Sequence, residues 1–438
     1  MSSACQTELS SASPTAAISP EILRGGGFLA LRYGLGVLVS VGNMLVLTWW
    51  IGPHAYGVFV TAIGIVAFLA NLARAGIDTF LVRQTETPSA SLYNTASALI
   101  FLISTCLMIA GASVTYFLIR WYGTREFVLP YVVLLLSVPV IGLTGVPMAK
   151  LERELDFRAV AEIEFSGQAL GLLVGTVMAA LHGGVWAPVS GQLAWQLFTF
   201  VAAWRRSSLR IGFHFQAAPV KEMLRYGLGC TASLRAWQVR TLVNPLLVGH
   251  YVGVEGVAFV ALALRIAEAL GTFRLAAGRM AIAALARMQN HLDEFRQLLQ
   301  RAMCWQVVTL GPLLCLFALV GPEVFRHLVG NRWLPSLGVY PFVAAGVLIN
   351  SVYNLQASAL FVLGRPMIVM FCYLLHVGVL AAISFFLVPH IGIAGYGWAE
   401  LAACGAYLVI HVGIAREFTI SYRSLAPMTA AFLALLFA

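Results

Sequence analysis

The chain has 438 residues, 60% of them hydrophobic and only 10% charged, with a mean hydropathy of +0.86 and a formal net charge of +9. Soluble domains carry roughly 25% charged residues, so this composition excludes a soluble globular protein and indicates an all-α polytopic membrane protein. The excess of positive charge does not indicate a nucleic-acid surface, because no basic stretch combines density with interleaved aromatics.

Residues 1–22 are rich in Ser, Thr and Ala, carry no basic n-region, and are expected to form a disordered cytoplasmic tail ahead of a retained first helix. Apolar windows of about 19 residues predict helices over 28–50, 57–82, 93–119, 127–149, 161–182 and 185–204. A second set follows over 223–250, 255–283, 302–329, 336–363, 367–388 and 395–415. These twelve spans divide into an N-lobe over 23–206, a cytoplasmic linker over 207–222, a C-lobe over 223–416 and a tail over 417–438. The apolar piece at 426–438 is too short to cross a bilayer at about 1.5 Å per residue; it is either an interfacial helix or part of a thirteenth span. The dense mixed charge of Lys150 to Arg158 predicts a solvated loop helix.

Loop cations set the orientation. With the N-terminus inside, 17 Lys and Arg fall in cytoplasmic segments and four outside, at Arg120, Arg125, Arg326 and Arg332. Both termini are therefore expected in the cytoplasm. The two sets of six also resemble each other: a shift of 201 residues lays Leu23 and Arg24 on Leu224 and Arg225, Gly26 on Gly227, Asn43 on Asn244, and Gly52 on Gly253. Units with an even number of spans insert the same way up, so the lobes are expected to be parallel repeats with the substrate handled between them.

Subtracting the 21 loop cations from the 27 Lys and Arg leaves six arginines inside predicted spans: Arg32, Arg74, Arg235, Arg240, Arg265 and Arg274. A helix-centre Arg costs about 2.5–3.5 kcal/mol on insertion scales, so six of them imply a water-filled cavity or anionic partners. They come from the first two helices of each half and are expected to line one central cavity. Arg235 and Arg240 lie deepest, have no acidic residue at i±3 or i±4, and are the leading candidates to contact an anion. Arg74 with Asp78 and Arg265 with Glu268 sit four and three residues apart, on one helical face, and can equally be internal ion pairs. Asp78, Glu164, Glu268 and Glu400, with His376, are the groups that could couple to an ion, although a paired structural role fits each as well. Six of the seven cysteines, Cys106, Cys230, Cys304, Cys315, Cys372 and Cys404, lie in apolar runs without CxxC spacing and read as buried hydrophobes. No metal site, cofactor or hydrolytic motif is expected.

The run Ile51-Gly52-Pro53-His54-Ala55-Tyr56-Gly57, followed by an apolar helix and Ala75-Gly76-Ile77-Asp78-Thr79-Phe80-Leu81-Val82-Arg83, resembles the first hairpin of bacterial polysaccharide exporters. These are the oligosaccharide-lipid flippase branch of the multidrug/oligosaccharidyl-lipid/polysaccharide exporter superfamily. Leu151 to Arg158 is similar to that family's loop after the fourth helix, and Gly183 to Ala187 to its turn before the sixth. The resemblance implies a non-enzymatic transporter of the bacterial inner membrane that flips an undecaprenyl-diphosphate-linked oligosaccharide by alternating access. Polysaccharide polymerase and glycosyltransferases are the implied partners. A drug or cation antiporter of the same superfamily and a peptidoglycan-precursor flippase remain alternatives. The resemblance assigns no site residue, and the arginines rest on their positions alone.

Overall fold

The computed structural model describes residues 42, 46, 49–84, 86–209, 212, 215–230, 236–272, 292–423 and 425–438. It is all helical among those residues: α1 (Pro53–Ala73), α2 (Ile77–Val82), α3 (Ala90–Ser113), α4 (Thr115–Tyr122), α5 (Val128–Leu135), α6 (Val138–Arg153), α7 (Phe157–Ala180), α8 (Trp186–Ser207) and α9 (Ala217–Cys230). After 3-10 and π windings over Val239–Leu242 and Asn244–Val248 come α10 (Val254–Leu270), α11 (Leu292–Val324), α12 (Pro335–Val362), α13 (Pro366–Ile391), α14 (Ile393–Ala403), α15 (Leu408–Ala415) and α16 (Leu425–Leu436). Eight helical stretches among the described residues are long and apolar enough to cross a bilayer, and the chain is a multi-pass membrane protein.

The remaining four expected spans differ for separate reasons. The first, over 28–50, lies almost wholly outside the described residues. The one expected over 185–204 is the 22-residue α8. Of the span expected over 223–250, residues 231–235 lie outside the described ones and the rest is helical, with 3-10 and π windings; of that over 255–283, only the part through Thr272 is described.

Helices α1 to α8 form one bundle and α10 to α16 another. In the first, α7 lies along α8 because Gly167, Gly171 and Gly175 recur every four residues and present one smooth face; a Cβ on Gly171 would stand 2.8 Å from the Gly191 carbonyl. In the second, α11, α12, α13 and α14 surround a core that includes Tyr340, Tyr396 and Tyr407. The last apolar piece, α16, packs against α11 and α12 with Phe432 on Gly311 and Phe437 on Phe342, and so runs up the bundle instead of lying on its rim.

Two expectations need correction. Lys150 to Arg158 is not a separate loop helix: α6 continues through Arg153, Leu155 turns the chain at φ 58°, and the Asp156 carboxylate caps α7 by accepting from the Ala159 amide at 3.0 Å. Nor do Arg74 and Asp78 share one helical face. The helix stops at Ala73, Ala75 and Gly76 adopt φ of 47° and 73°, and α2 starts afresh at Ile77. Left-handed backbone at two consecutive residues breaks the i to i+4 register, and the two side chains make no ion pair with each other.

Candidate functional site

The two bundles meet along α1 and α10, the helices at matching places in the two halves. On the Gly52 side the approach is close enough that a Cβ on Gly57 would overlap the Val254 carbonyl. Here Trp121 Nε1 donates to the Leu246 carbonyl at 2.8 Å, the Tyr122 hydroxyl donates to the Pro245 carbonyl at 3.0 Å, and Trp121 stacks on His250 at 4.0 Å. On the Arg83 side α9 crosses the break after α1, and a Cβ on Gly227 would overlap the Ala75 carbonyl. Arg83 Nη1 donates to the Tyr226 hydroxyl at 2.9 Å, and Phe80 meets the Tyr226 ring edge-on at 5.7 Å. Helix α9 thus packs on α2 and α3 of the first bundle.

Between those contacts the helical segment over 236–251 changes its winding. The winding is 3-10 over Val239–Leu242 and π over Asn244–Val248. Pro245 explains the change, since its ring removes a donor and crowds the carbonyl four residues earlier. Asn244 then donates to the Val257 carbonyl of α10 at 3.2 Å. The 3-10 turn touches α1 of the first bundle and α13 of the second, which leaves Arg240 at the junction of the two.

Arg240 has no acidic neighbour on its own helix, but it has one across the fold. Its Nη2 donates to Glu400 Oε1 of α14 at 2.5 Å, with side-chain exposures of 13% and 6%. The guanidinium lies 5.3 Å from the centre of the Trp237 ring, a cation–π geometry. Trp237 leans on Tyr373 and on buried His376, which stacks on Tyr407 at 5.2 Å; the Tyr407 hydroxyl accepts from Asn350 Nδ2 at 2.7 Å. Gly346 of α12 makes room for the carboxylate, as a Cβ there would stand 3.2 Å from Glu400 Cγ. Glu268 of α10 also acts electrostatically on Arg240.

The profile of the polysaccharide biosynthesis protein family matches residues 46–338. The chain belongs to that family. A protein of Shigella flexneri named "Putative O-antigen transporter" is 19% identical over 389 residues, which cover 85% of this chain and 93% of that one. The fold resembles the lipid II flippase MurJ in its inward-closed conformation, with a TM-score of 0.79 at 12% identity over 94% of this chain and 91% of that one. It also resembles the inward-facing form of a multidrug-resistance transporter of the MATE family, with a TM-score of 0.67 at 15% identity over 90% and 94% of the two chains. This polysaccharide biosynthesis family member falls in the exporter and flippase branch of the superfamily that its first hairpin resembles.

The family member's other candidate residues are less concentrated. Arg265 and Glu268 are exposed on α10, where Glu255 is the one other exposed residue, and they make no ion pair with each other. Arg74 and Asp78 both run past Gly145 of α6, and Arg74 Nε is buried without a hydrogen-bond partner. Glu164 lies half-buried in α7, well apart in sequence from the Arg240 cluster. Arg32, Arg235 and Arg274 lie outside the described residues. Trp237, Asn350 and Tyr407 did not stand out in the sequence, although an Asn in the middle of an apolar span was a signal that a polar group awaited it.

Proposed function

We propose that this chain flips an undecaprenyl-diphosphate-linked oligosaccharide from the cytoplasmic to the periplasmic leaflet of the bacterial inner membrane, by alternating access, for surface polysaccharide biosynthesis. The observation that carries the proposal is Arg240 at the junction of the two bundles, with Arg265 exposed on a helix whose other faces are packed. Guanidinium groups match phosphate oxygens in fixed, often bidentate geometry and stay charged at depth. The head group offers them a diphosphate while its lipid tail stays in the bilayer. Membership of a polysaccharide biosynthesis family and the name of the Shigella relative support a glycan cargo.

Arg74, Arg235, Arg274 and Arg32 complete the proposed phosphate-binding set, and Asp78, Glu268, Glu400 and His376 are the groups proposed to respond to ions. Both termini are proposed to face the cytoplasm, where the glycosyltransferases that build the cargo work; the polymerase that consumes it lies outside.

Loss of the gene tests the cargo. Accumulated lipid-linked oligosaccharide with surface polysaccharide missing is the expected result. Unchanged polysaccharide with raised drug sensitivity would assign an antiporter, and accumulated peptidoglycan precursor a flippase of that lipid. Arg265→Ala, at an exposed position, should lower glycan export in the deletion strain without loss of folded protein. Full export by Arg265→Ala combined with Arg74→Ala would remove both residues from the site.

A further inference from the structure

The Arg240–Glu400 pair leaves an atom of each partner unused. Arg240 Nε and Glu400 Oε2 are buried with no hydrogen-bond partner among the described residues. A guanidinium offers five N–H groups in a fork and a carboxylate can accept that fork with both oxygens, yet one contact, Nη2 to Oε1, joins these two. A pair built only to hold helices together gains most by the bidentate arrangement, because orphaned buried polar atoms are costly. Two further features point away from a purely structural bond. Trp237 supports the guanidinium through its ring face and consumes none of the donors. On the other side Gly346 of α12 admits the Glu400 side chain without spending a hydrogen bond on it. Arg240 is built as a fixed anion receptor whose anion, with the bundles in contact along α1 and α10, is the protein's own.

We propose that Glu400 is an internal competitor for Arg240: it holds the guanidinium when cargo is absent, gives way to a phosphate oxygen of the arriving diphosphate, and returns to displace it. This rests on Arg240 being a diphosphate ligand. Carboxylate and phosphate oxygens are the same class of acceptor, and a diphosphate can use the fork that Glu400 leaves half-filled. The tethered carboxylate has the advantage of effective concentration, so it rebinds whenever the phosphate loosens. Without it, a buried cationic site would hold a dianion long after transport, since affinity resides mainly in the dissociation rate. The displaced carboxylate has somewhere to go: Tyr396 lies one turn before it on α14 and Tyr407 in the turn that follows that helix, both buried, and the two phenols supply neutral donors.

The test uses the full chain in lipid nanodiscs with inorganic diphosphate as the probe, read by isothermal titration calorimetry. Glu400→Gln keeps the side chain's volume and removes its charge. It should bind diphosphate about ten- to a hundredfold more tightly than wild type, the worth of one charged hydrogen bond, while glycan export in the deletion strain falls. A merely structural Glu400 would lower binding and export together, and equal or weaker binding by a folded Gln variant overturns the proposal. Glu400→Asp, which keeps the charge but shortens the reach, should show a smaller gain of the same sign; no gain there overturns it too, so the test survives a misfolded Gln variant. Arg240→Ala in the Glu400→Gln background separates the two claims. Loss of the tightened binding keeps Arg240 as the receptor, whereas unchanged binding removes the diphosphate from Arg240 and the competitor role with it.

Discussion

Arg83 and Tyr226, 143 residues apart in the chain, meet at 2.9 Å where α9 packs on the end of α2, and the guanidinium also lies 5.8 Å from the centre of the same ring. One phenol of α9 thus serves as acceptor and as cation–π face for a residue of the first bundle. Tyr226→Phe keeps the ring, its edge contact with Phe80 and the cation–π contact, and removes the hydroxyl alone. The expected cost is about 1 kcal/mol of the docking of α9 on this side, or roughly a fivefold shift in population. Spin labels at Thr87 and Glu222 should report a larger share of long distances in the Phe variant. An unchanged distance distribution would mean that the contact does not bias closure.

A pair of glycines makes a sharper prediction about the same equilibrium. Gly57 faces the Val254 carbonyl on the Gly52 side, and Gly227 faces the Ala75 carbonyl on the Arg83 side, each too closely to admit a methyl group. Gly57→Ala should therefore disfavour closure of the Gly52 side and Gly227→Ala closure of the Arg83 side. In an alternating-access cycle in which α9 moves with the second bundle and one side opens at a time, the two substitutions should move the Thr87 to Glu222 distance in opposite directions and both should reduce export. A shift of the same sign in both variants would show that the bundles do not rock about a common pivot.

The sequence shows most of the spans, because a bilayer demands long apolar runs and their hydropathy is local information. The same holds for the chain's turns at Gly52, Gly183, Gly253 and Gly392. What stayed hidden depends on residues far away in the chain. Ala75 reads as a good helix former, and only the crossing of α9 at Gly227 shows why its backbone turns left-handed there. Gly76, in the middle of a predicted span, was the available hint. Pro245 likewise marked the change of winding, but not that Arg240 would meet Glu400, 160 residues away. A search for acids at i±3 and i±4 finds neighbours on one helix and is blind to a partner on another.

That long-range pairing predicts non-additive mutations. Arg240→Met strands the buried Glu400 carboxylate and should cost about 3–5 kcal/mol, whereas adding Glu400→Leu removes the stranded charge and should restore most of the loss. Thermal unfolding of the purified single and double variants measures this directly. Additive losses in the double variant would mean that the two side chains are stabilised independently, despite their 2.5 Å contact.

At the end of the chain, Tyr422 anchors the segment between α15 and α16. Gln356 Nε2 of α12 donates to its hydroxyl at 2.9 Å, which leaves the phenol proton for His411 Nδ1 of α15 at 2.8 Å. Burial pushes the Tyr422 hydroxyl up to about 12. A phenol whose folded value is raised above its unfolded value of about 10 favours folding in its neutral form. Its contribution is therefore complete below pH 10 and is lost as the pH rises from about 10 through about 12. Tyr422→Phe should remove both hydrogen bonds at any pH, at a cost of about 1–2 kcal/mol, and expose the Glu417 to Arg423 segment to limited trypsin digestion at neutral pH. Wild-type protein should resist cleavage there up to pH 10, the upper limit at which trypsin remains usable. Equal protection of the Phe variant would assign the anchoring to the Arg365–Glu417 pair, whose charged groups lie 3.2 Å apart at the start of the same segment.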